Sequence, residues 1–303
     1  MGADHSPRVV RIRAALASAD LAGVQTEGQA LCAAEPGNWE GYFWLGFVDI
    51  QHDNGYDAVR HLRRAQALDG NVYVLKLLGV AYYTAGQFHL FEQEMNAASR
   101  RQPDDFAPYY YLGRYYVSHL VGHWDKAAEY LEQAVERNPH HLLSQYYLGY
   151  CYEAERNQAA AERQYQKAME LAVTAGADTG SGPRTSDFGF LEPAGTAEAN
   201  AALPYEGLAR LRLLENKPTE ALPLAKRAVA LATKDAEAHT VLAKAYAAAG
   251  QDAAAIPEWQ QAAALDPTDA APYYHLYRIY LAAGDKEKAD AAHAQFQKLS
   301  ARY

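Results

Sequence analysis

The sequence predicts an all-α chain in which about eight helical hairpins stack side by side as a solenoid. Three observations carry that expectation. A short phrase recurs with a period of 34 residues, a second phrase follows it at a fixed offset, and helix-breaking residues separate one hairpin from the next. Periodicity in this range marks an array of supersecondary units that cannot bury their apolar faces alone.

The first phrase reads Leu75-x-x-Leu78-Gly79-x-x-Tyr82. It returns as Tyr109-x-x-Leu112-Gly113-x-x-Tyr116 and as Gln145-x-x-Leu148-Gly149-x-x-Tyr152. Variants are Tyr42-x-x-Leu45-Gly46, Tyr205-x-x-Leu208-Ala209, His239-x-x-Leu242-Ala243-x-x-Tyr246 and Tyr273-x-x-Leu276-x-x-x-Tyr280. The second phrase appears as Ala127…Leu131-x-x-Ala134, Ala161…Tyr165-x-x-Ala168, Ala221…Ala225-x-x-Ala228 and Ala255…Trp259-x-x-Ala262. Spacings of three and four place these apolar residues on one face of each helix. The small residues, Gly79, Gly113, Gly149, Ala209 and Ala243, are expected where the second helix approaches closely. Gly86, Gly250 and Gly284 are expected in the turns, where positive φ costs glycine little. Pro103, Pro139 and Pro267 end the second helix of their hairpins, whereas Pro223 and Pro257 are expected near a first turn.

The two phrases together resemble the tetratricopeptide repeat, W-x2-L-G-x2-Y followed by A-x3-F-x2-A and a late proline. The resemblance implies a right-handed superhelix. It places repeats at about 39–71, 72–105, 106–141, 142–175, 202–235, 236–269 and 270–303, with a degenerate one at about 7–38. The N-terminal set then spans 1–175, the C-terminal set 202–303, and an insertion 176–201; two extra residues fall near Val117–Gly122.

The resemblance also implies a binding face. In this family helix A of each repeat lines the concave side, where extended peptides bind. Read onto this chain, its positions give Phe43, Phe47, Tyr73, Lys76, Tyr83, Tyr110, Arg114, Tyr146, Tyr150 and Glu153, then Glu206, Arg210, Thr240, Lys244, Tyr274 and Arg278. The front half is aromatic, and the rear carries a row of Arg210, Lys244 and Arg278. Aromatic side chains and arginine are enriched at binding hot spots, and the cations suit carboxylates or carbonyls. The alternative is that some of these tyrosines pack between repeats, as Tyr115, Tyr116, Tyr147 and Tyr152 are expected to do. A carboxylate clamp of the co-chaperone kind is rejected, because Val80 stands where Lys76 would need a following Asn.

The insertion is rich in Gly, Ser, Thr and Pro, which reads as loop. Phe188, Phe190 and Leu191 form an apolar cluster within it. Docking of that cluster on the chain's own groove or on a partner, and a tolerated insertion with a local anchor, both remain open.

Catalytic and metal chemistry is not expected. His119 and His123 lie four apart, but at an irregular turn, where a solvated pair is the better reading. His140-His141 follows a helix-ending proline. Cys151 sits inside a core phrase, and Cys32 on a packed helix, with no metal-type spacing. No nucleophile elbow or phosphate loop is present. The net charge of -9 opposes nucleic-acid and anionic-membrane binding. No stretch approaches 18 apolar residues, and residues 1–13 lack the apolar core of a signal peptide. Localisation is thus cytoplasmic at face value, or periplasmic if a signal has been removed.

The expected function is a scaffold or adaptor, not an enzyme, that needs no cofactor and holds another protein or an extended peptide. The alternative is self-assembly through terminal repeats, in which copies associate through the face of the last helix bearing Ala292, Phe296 and Leu299. A small-molecule binder using the 174–201 loop as a lid lacks a constellation of titratable groups to support it.

Overall fold

A computed structural model describes residues 6–117, 122–177 and 197–301. The side chains of 175–177 and 197–199 are outside the description. The described residues are helical, without a strand, and the helices form two compact units.

The first unit holds α1 (Pro7–Ala17), α2 (Leu21–Ala34), α3 (Trp39–Gln51), α4 (Gly55–Leu68), α5 (Val72–Thr84), α6 (Phe88–Arg101), α7 (Ala107–Val117) and α8 (Trp124–Arg137). The second holds α9 (Leu142–Ala154), α10 (Gln158–Ala177), α11 (Ala197–Leu214), α12 (Pro218–Leu231), α13 (Ala236–Ala248), α14 (Asp252–Leu265), α15 (Ala271–Ala282) and α16 (Lys286–Ser300). Odd-numbered A helices and even-numbered B helices pair in sequence, as the repeated phrases require. The helices cover both ends of the segment 176–201, to Ala177 and from Ala197. The remainder, with Phe188, Phe190 and Leu191, lies outside the described residues. So does most of the irregular stretch after Val117, including His119.

Most A helices open on a polar cap, because the first backbone N–H groups have no partner within the helix. Asn71 Oδ1 accepts from the Tyr73 and Val74 amides at 3.0 and 3.1 Å. Asp235 Oδ1 accepts from Glu237 and Ala238 at 2.8 and 3.2 Å. His141 takes this place in α9, accepting from Ser144 N at 3.2 Å.

Each A–B turn places one residue in the left-handed region, two positions before the B helix begins. Gly86, Gly250 and Gly284 do so at φ of +70°, +72° and +75°, as expected. Ala19, Asp53, Arg156 and Asn216 hold the same place at φ of 56° to 63°, where no glycine marks it. The compensating bond is visible each time: the next amide reaches back to the carbonyl five residues earlier, as in Asn54 N to Asp49 O and Asn157 N to Tyr152 O, both 2.8 Å.

Inside each pair the small residues of helix A receive a large side chain of helix B. A Cβ on Gly79 would lie 2.6 Å from Met95 Cε, and one on Gly113 2.5 Å from Leu131 Cγ. In the second unit the buried Tyr165 ring sits between two glycines. A Cβ on Gly149 would stand 2.8 Å from it, and one on Gly207 2.6 Å. Tyr165 therefore keys α10 to both α9 and α11.

Two expectations need correction. Pro223 and Pro257 are the sixth residues of α12 and α14, a turn deeper than expected, and both helices continue through them. Both prolines are exposed, as are Thr219 and Ala253, so water can serve the carbonyls that lose an N–H partner. The apolar face of α16 is also not open. Ala292 and Leu299 are buried, and the Phe296 ring centroid lies 5.4 Å from that of Tyr274 in α15.

The Tyr165 lock gives a direct prediction. Gly207→Ala should destabilise the full chain by about 1–3 kcal/mol, because the ring it meets is hydrogen-bonded and cannot retreat. Gly37→Ala, with nothing within 4 Å, should change the denaturant midpoint little. Equal midpoints for the two variants would contradict the lock.

Candidate functional site

The A helices position the expected binding residues, and the structure divides them by burial. In the first unit Phe43 and Phe47 are buried and meet Trp44 edge-on, with centroids 5.1 and 5.8 Å apart. Tyr110 is 1% exposed. Lys76 is 4% exposed, and its Nζ lies 2.6 Å from Asp105 Oδ2. These residues act in packing, which corrects the expectation of an open aromatic surface at Phe43, Phe47 and Tyr110 and of a free cation at Lys76. The physical reason is stacking: an A helix such as α5 packs against α3, α4 and α6 at once, which leaves less of it open than the family pattern assigns to the ligand. Tyr73 and Tyr83 remain exposed at 51% and 43%. Tyr83 forms the rim of an aromatic group with Phe88, Phe91 and Tyr115. Arg114 is half-buried and donates to Tyr110 Oη at 3.4 Å. Tyr115 and Tyr116 pack as expected, Tyr116 donating to Glu92 and stacking on Tyr130.

In the second unit a buried polar cluster joins three helices. Arg210 of α11 donates from Nε and an Nη to the two carboxylate oxygens of Glu153 in α9, both at 3.2 Å. Tyr165 of α10 donates to Glu153 at 2.5 Å and accepts from Arg210 at 3.3 Å. The Arg210 guanidinium also lies 5.5 Å from the Tyr150 ring centroid. Burial works against the Arg210 charge, but Tyr146, Tyr165 and Glu153 hold its proton more firmly than usual. Burial raises the Tyr146 and Tyr165 hydroxyls well above the ordinary tyrosine value. Tyr146 and Glu206 are buried, so these too are corrected from open contacts to interior groups. Tyr147 and Tyr152 pack beside Tyr146 as expected.

The outer A helices of this unit differ. Lys244, Tyr274 and Arg278 are exposed, and among the described residues no ion pair engages either cation. Arg278 lies 5.9 Å from the Tyr274 ring centroid. Thr240 is buried. Between the cations His275 stacks on the buried Trp259 at 4.3 Å and 6°. Burial, then Lys244 and Arg278, lower its pKa and favour the neutral ring. The repeated phrase did not single out His275, since its position holds an apolar or aromatic residue elsewhere. Asp105, just before α7, likewise belongs to neither repeated phrase.

Among the described residues no group of three His, Cys, Asp or Glu side chains is arranged to hold a metal ion. No described helix is long and apolar enough to cross a membrane. Burial pushes the Cys151 thiol up to about 12, so it behaves as a core group.

Paired helices with a small-residue seam, in both units, define a helical-repeat solenoid protein. A model of the tetratricopeptide repeat matches residues 121–176 and 207–275, two stretches that together make up less than half of the chain and that are similar to that repeat. Solved structures support the fold. The hetero-tetramer Cut9–Hcn1 superposes with a TM-score of 0.68 at 17% identity, over 86% of this chain and 48% of that one. This chain thus spans about half the length of that relative. A tetratricopeptide repeat protein from Parabacteroides merdae gives 0.60 at 17% identity, over 86% and 93%. The C-terminal part of a repeat protein from Cytophaga hutchinsonii gives 0.53 at 18%, over 88% and 98%. No curated protein sequence matches the chain. The fold is that of a protein-interaction scaffold, a class typically without enzymatic activity.

The division by burial predicts unequal effects of mutation. Glu153→Ala leaves Arg210 in a largely buried place without its two-pronged acceptor and should cost on the order of 3 kcal/mol. Lys244→Ala should cost less than about 0.5 kcal/mol. Urea unfolding of the two variants beside the wild type checks the difference.

Proposed function

We propose that the protein holds an extended segment of a partner protein against the A-helix faces. The side chains assigned to direct contact are Tyr73 and Tyr83 in the first unit, and Lys244, Tyr274 and Arg278 in the second. The buried members, Phe43, Phe47, Lys76, Tyr110, Tyr146 and Glu206, set the spacing of those faces. Arg114 in the first unit, and Tyr150, Glu153 and Arg210 in the second, are the partly buried polar members of those faces.

One observation carries this reading. Lys244 and Arg278 are 34 residues apart, occupy the same place on successive A helices and stay exposed, Arg278 beside the exposed Tyr274. The equivalent Arg210 is spent on Glu153. A cation that stabilises the fold finds a carboxylate within the chain. Two that do not, set in register with an aromatic ring beside one of them, suit carboxylates or backbone carbonyls of a bound segment.

The triple change Lys244→Ala, Tyr274→Ala, Arg278→Ala tests it. Partners captured by the wild type from a lysate are identified by mass spectrometry, and their segments are then titrated against both proteins. The expected outcome is at least a tenfold loss of affinity with unfolding unchanged. Equal affinity would remove α13 and α15 from the binding face. The Tyr110→Ala, Tyr146→Ala pair is not a clean test, because both rings are buried and their loss opens cavities.

A further inference from the structure

The second unit contains a buried carboxyl that the packing does not explain. Glu206 is 1% exposed, and its Oε1 is fully buried without a hydrogen-bond partner among the described residues. Such an atom is costly to leave unserved, and more so when ionised. The group lies one turn before Arg210 on α11, the spacing at which Glu and Arg side chains reach each other, with Glu nearer the N-terminus in the favourable order. Yet Arg210 is turned to Glu153 of α9 and Tyr165 of α10. Glu153 takes the two close bonds of the guanidinium, Glu237 of α13 lies at 3.9 Å from it, and Glu206 pairs with it in neither way.

We propose that Glu206 is a proton-controlled switch on the Arg210–Glu153 ion pair: while its carboxyl is neutral Arg210 ties α11 to α9, and when it ionises Arg210 turns to Glu206 and releases α9. The proposal concerns the mechanics of the second unit and is independent of what the A helices bind.

The surroundings of Glu206 support both states. From α13 it faces Asp235, whose oxygen already caps the helix, and Glu237. From α9 Tyr146 and Glu153 share the cluster, and from α10 Tyr165. The first-turn charges flanking α12, Lys217 and Glu220, pair away from it with Glu215 and Arg212. Arg210 is the cation that acts on it. Burial first, then Asp235, raise its pKa, Arg210 opposes them, Glu237 adds to the rise, and the result is about 8. Glu206 is thus protonated at neutral pH. Its folded value lies above the unfolded value of 4.5. The associated stability is complete below the unfolded value and is lost as pH rises through the folded one.

The test uses the full chain. Glu206 is titrated by NMR of its carboxyl carbon, assigned by loss of the signal in Glu206→Gln. Glu153→Gln is then compared with its parent at about pH 6 and about pH 9.5, in the wild-type and Glu206→Gln backgrounds. The switch predicts a Glu206 transition far above the ordinary glutamate range. It also predicts that the effect of Glu153→Gln on the unfolding equilibrium shrinks at least tenfold at high pH, in the wild-type background only. If Glu153→Gln does not fold, amide exchange of α9 in the unmodified chain replaces it. Opening of α9, corrected for base catalysis, should then rise about tenfold through the Glu206 transition and stay flat in Glu206→Gln. An ordinary Glu206 titration overturns the proposal. So does a high one without any change in the Glu153 effect or in α9 exchange, or with the same change in Glu206→Gln.

Discussion

The structure depends on one steric arrangement: a residue with little or no side chain on helix A faces a bulky one on helix B. Gly79 receives Met95, Gly113 receives Leu131, and Gly149 receives Tyr165. This contact sets how close the two helices of a pair lie, and hence how far their A-helix side chains reach toward the next pair. Dispersion and burial then fill the remaining space with aromatic rings, among them Phe47, Tyr82, Tyr110 and Trp259. A hairpin with this seam cannot bury its second face alone, so stacking on neighbours supplies most of the stability.

Close stacking has a consequence for function. Aromatic positions that look like a ligand surface become part of the packing between helices, and charged positions that look free are recruited to the inside. Lys76 meets Asp105, and Arg210 meets Glu153. Of the predicted binding residues a smaller set remains exposed, Tyr73 and Tyr83 in one unit and Lys244, Tyr274 and Arg278 in the other. The protein-interaction role of the fold class and the particular face used are separate matters, because one fold hosts many partners.

The repeat was legible because its signals are steric and local: glycine at the seam, leucine and tyrosine at helical spacing, proline and Asp or Asn at helix starts. The turns without glycine were hidden. Ala19 and Arg156 take the left-handed conformation because the pairing geometry imposes it and nothing in their side chains announces it, whereas Asp53 and Asn216 are of types that tolerate it without marking it as glycine does. The site was legible only as a list of helix faces. Periodicity tells which side of a helix a residue occupies, but not whether the neighbouring helix covers that side. Tyr110 and Tyr274 hold equivalent places in the repeated phrase, yet one is buried and the other 39% exposed. Nor does a phrase reveal long-range pairs: Arg210 and Glu153 lie 57 residues apart, and only the folded chain brings them together.

The central claim is that the exposed remnant of the A-helix face in the second unit is where a partner binds. Hydrogen–deuterium exchange of the full chain, alone and with a partner segment bound, reads this directly. The account predicts new protection concentrated in α13 and α15, around Lys244, Tyr274 and Arg278. Protection confined to the B helices α12, α14 and α16, with α13 and α15 unchanged, would contradict it.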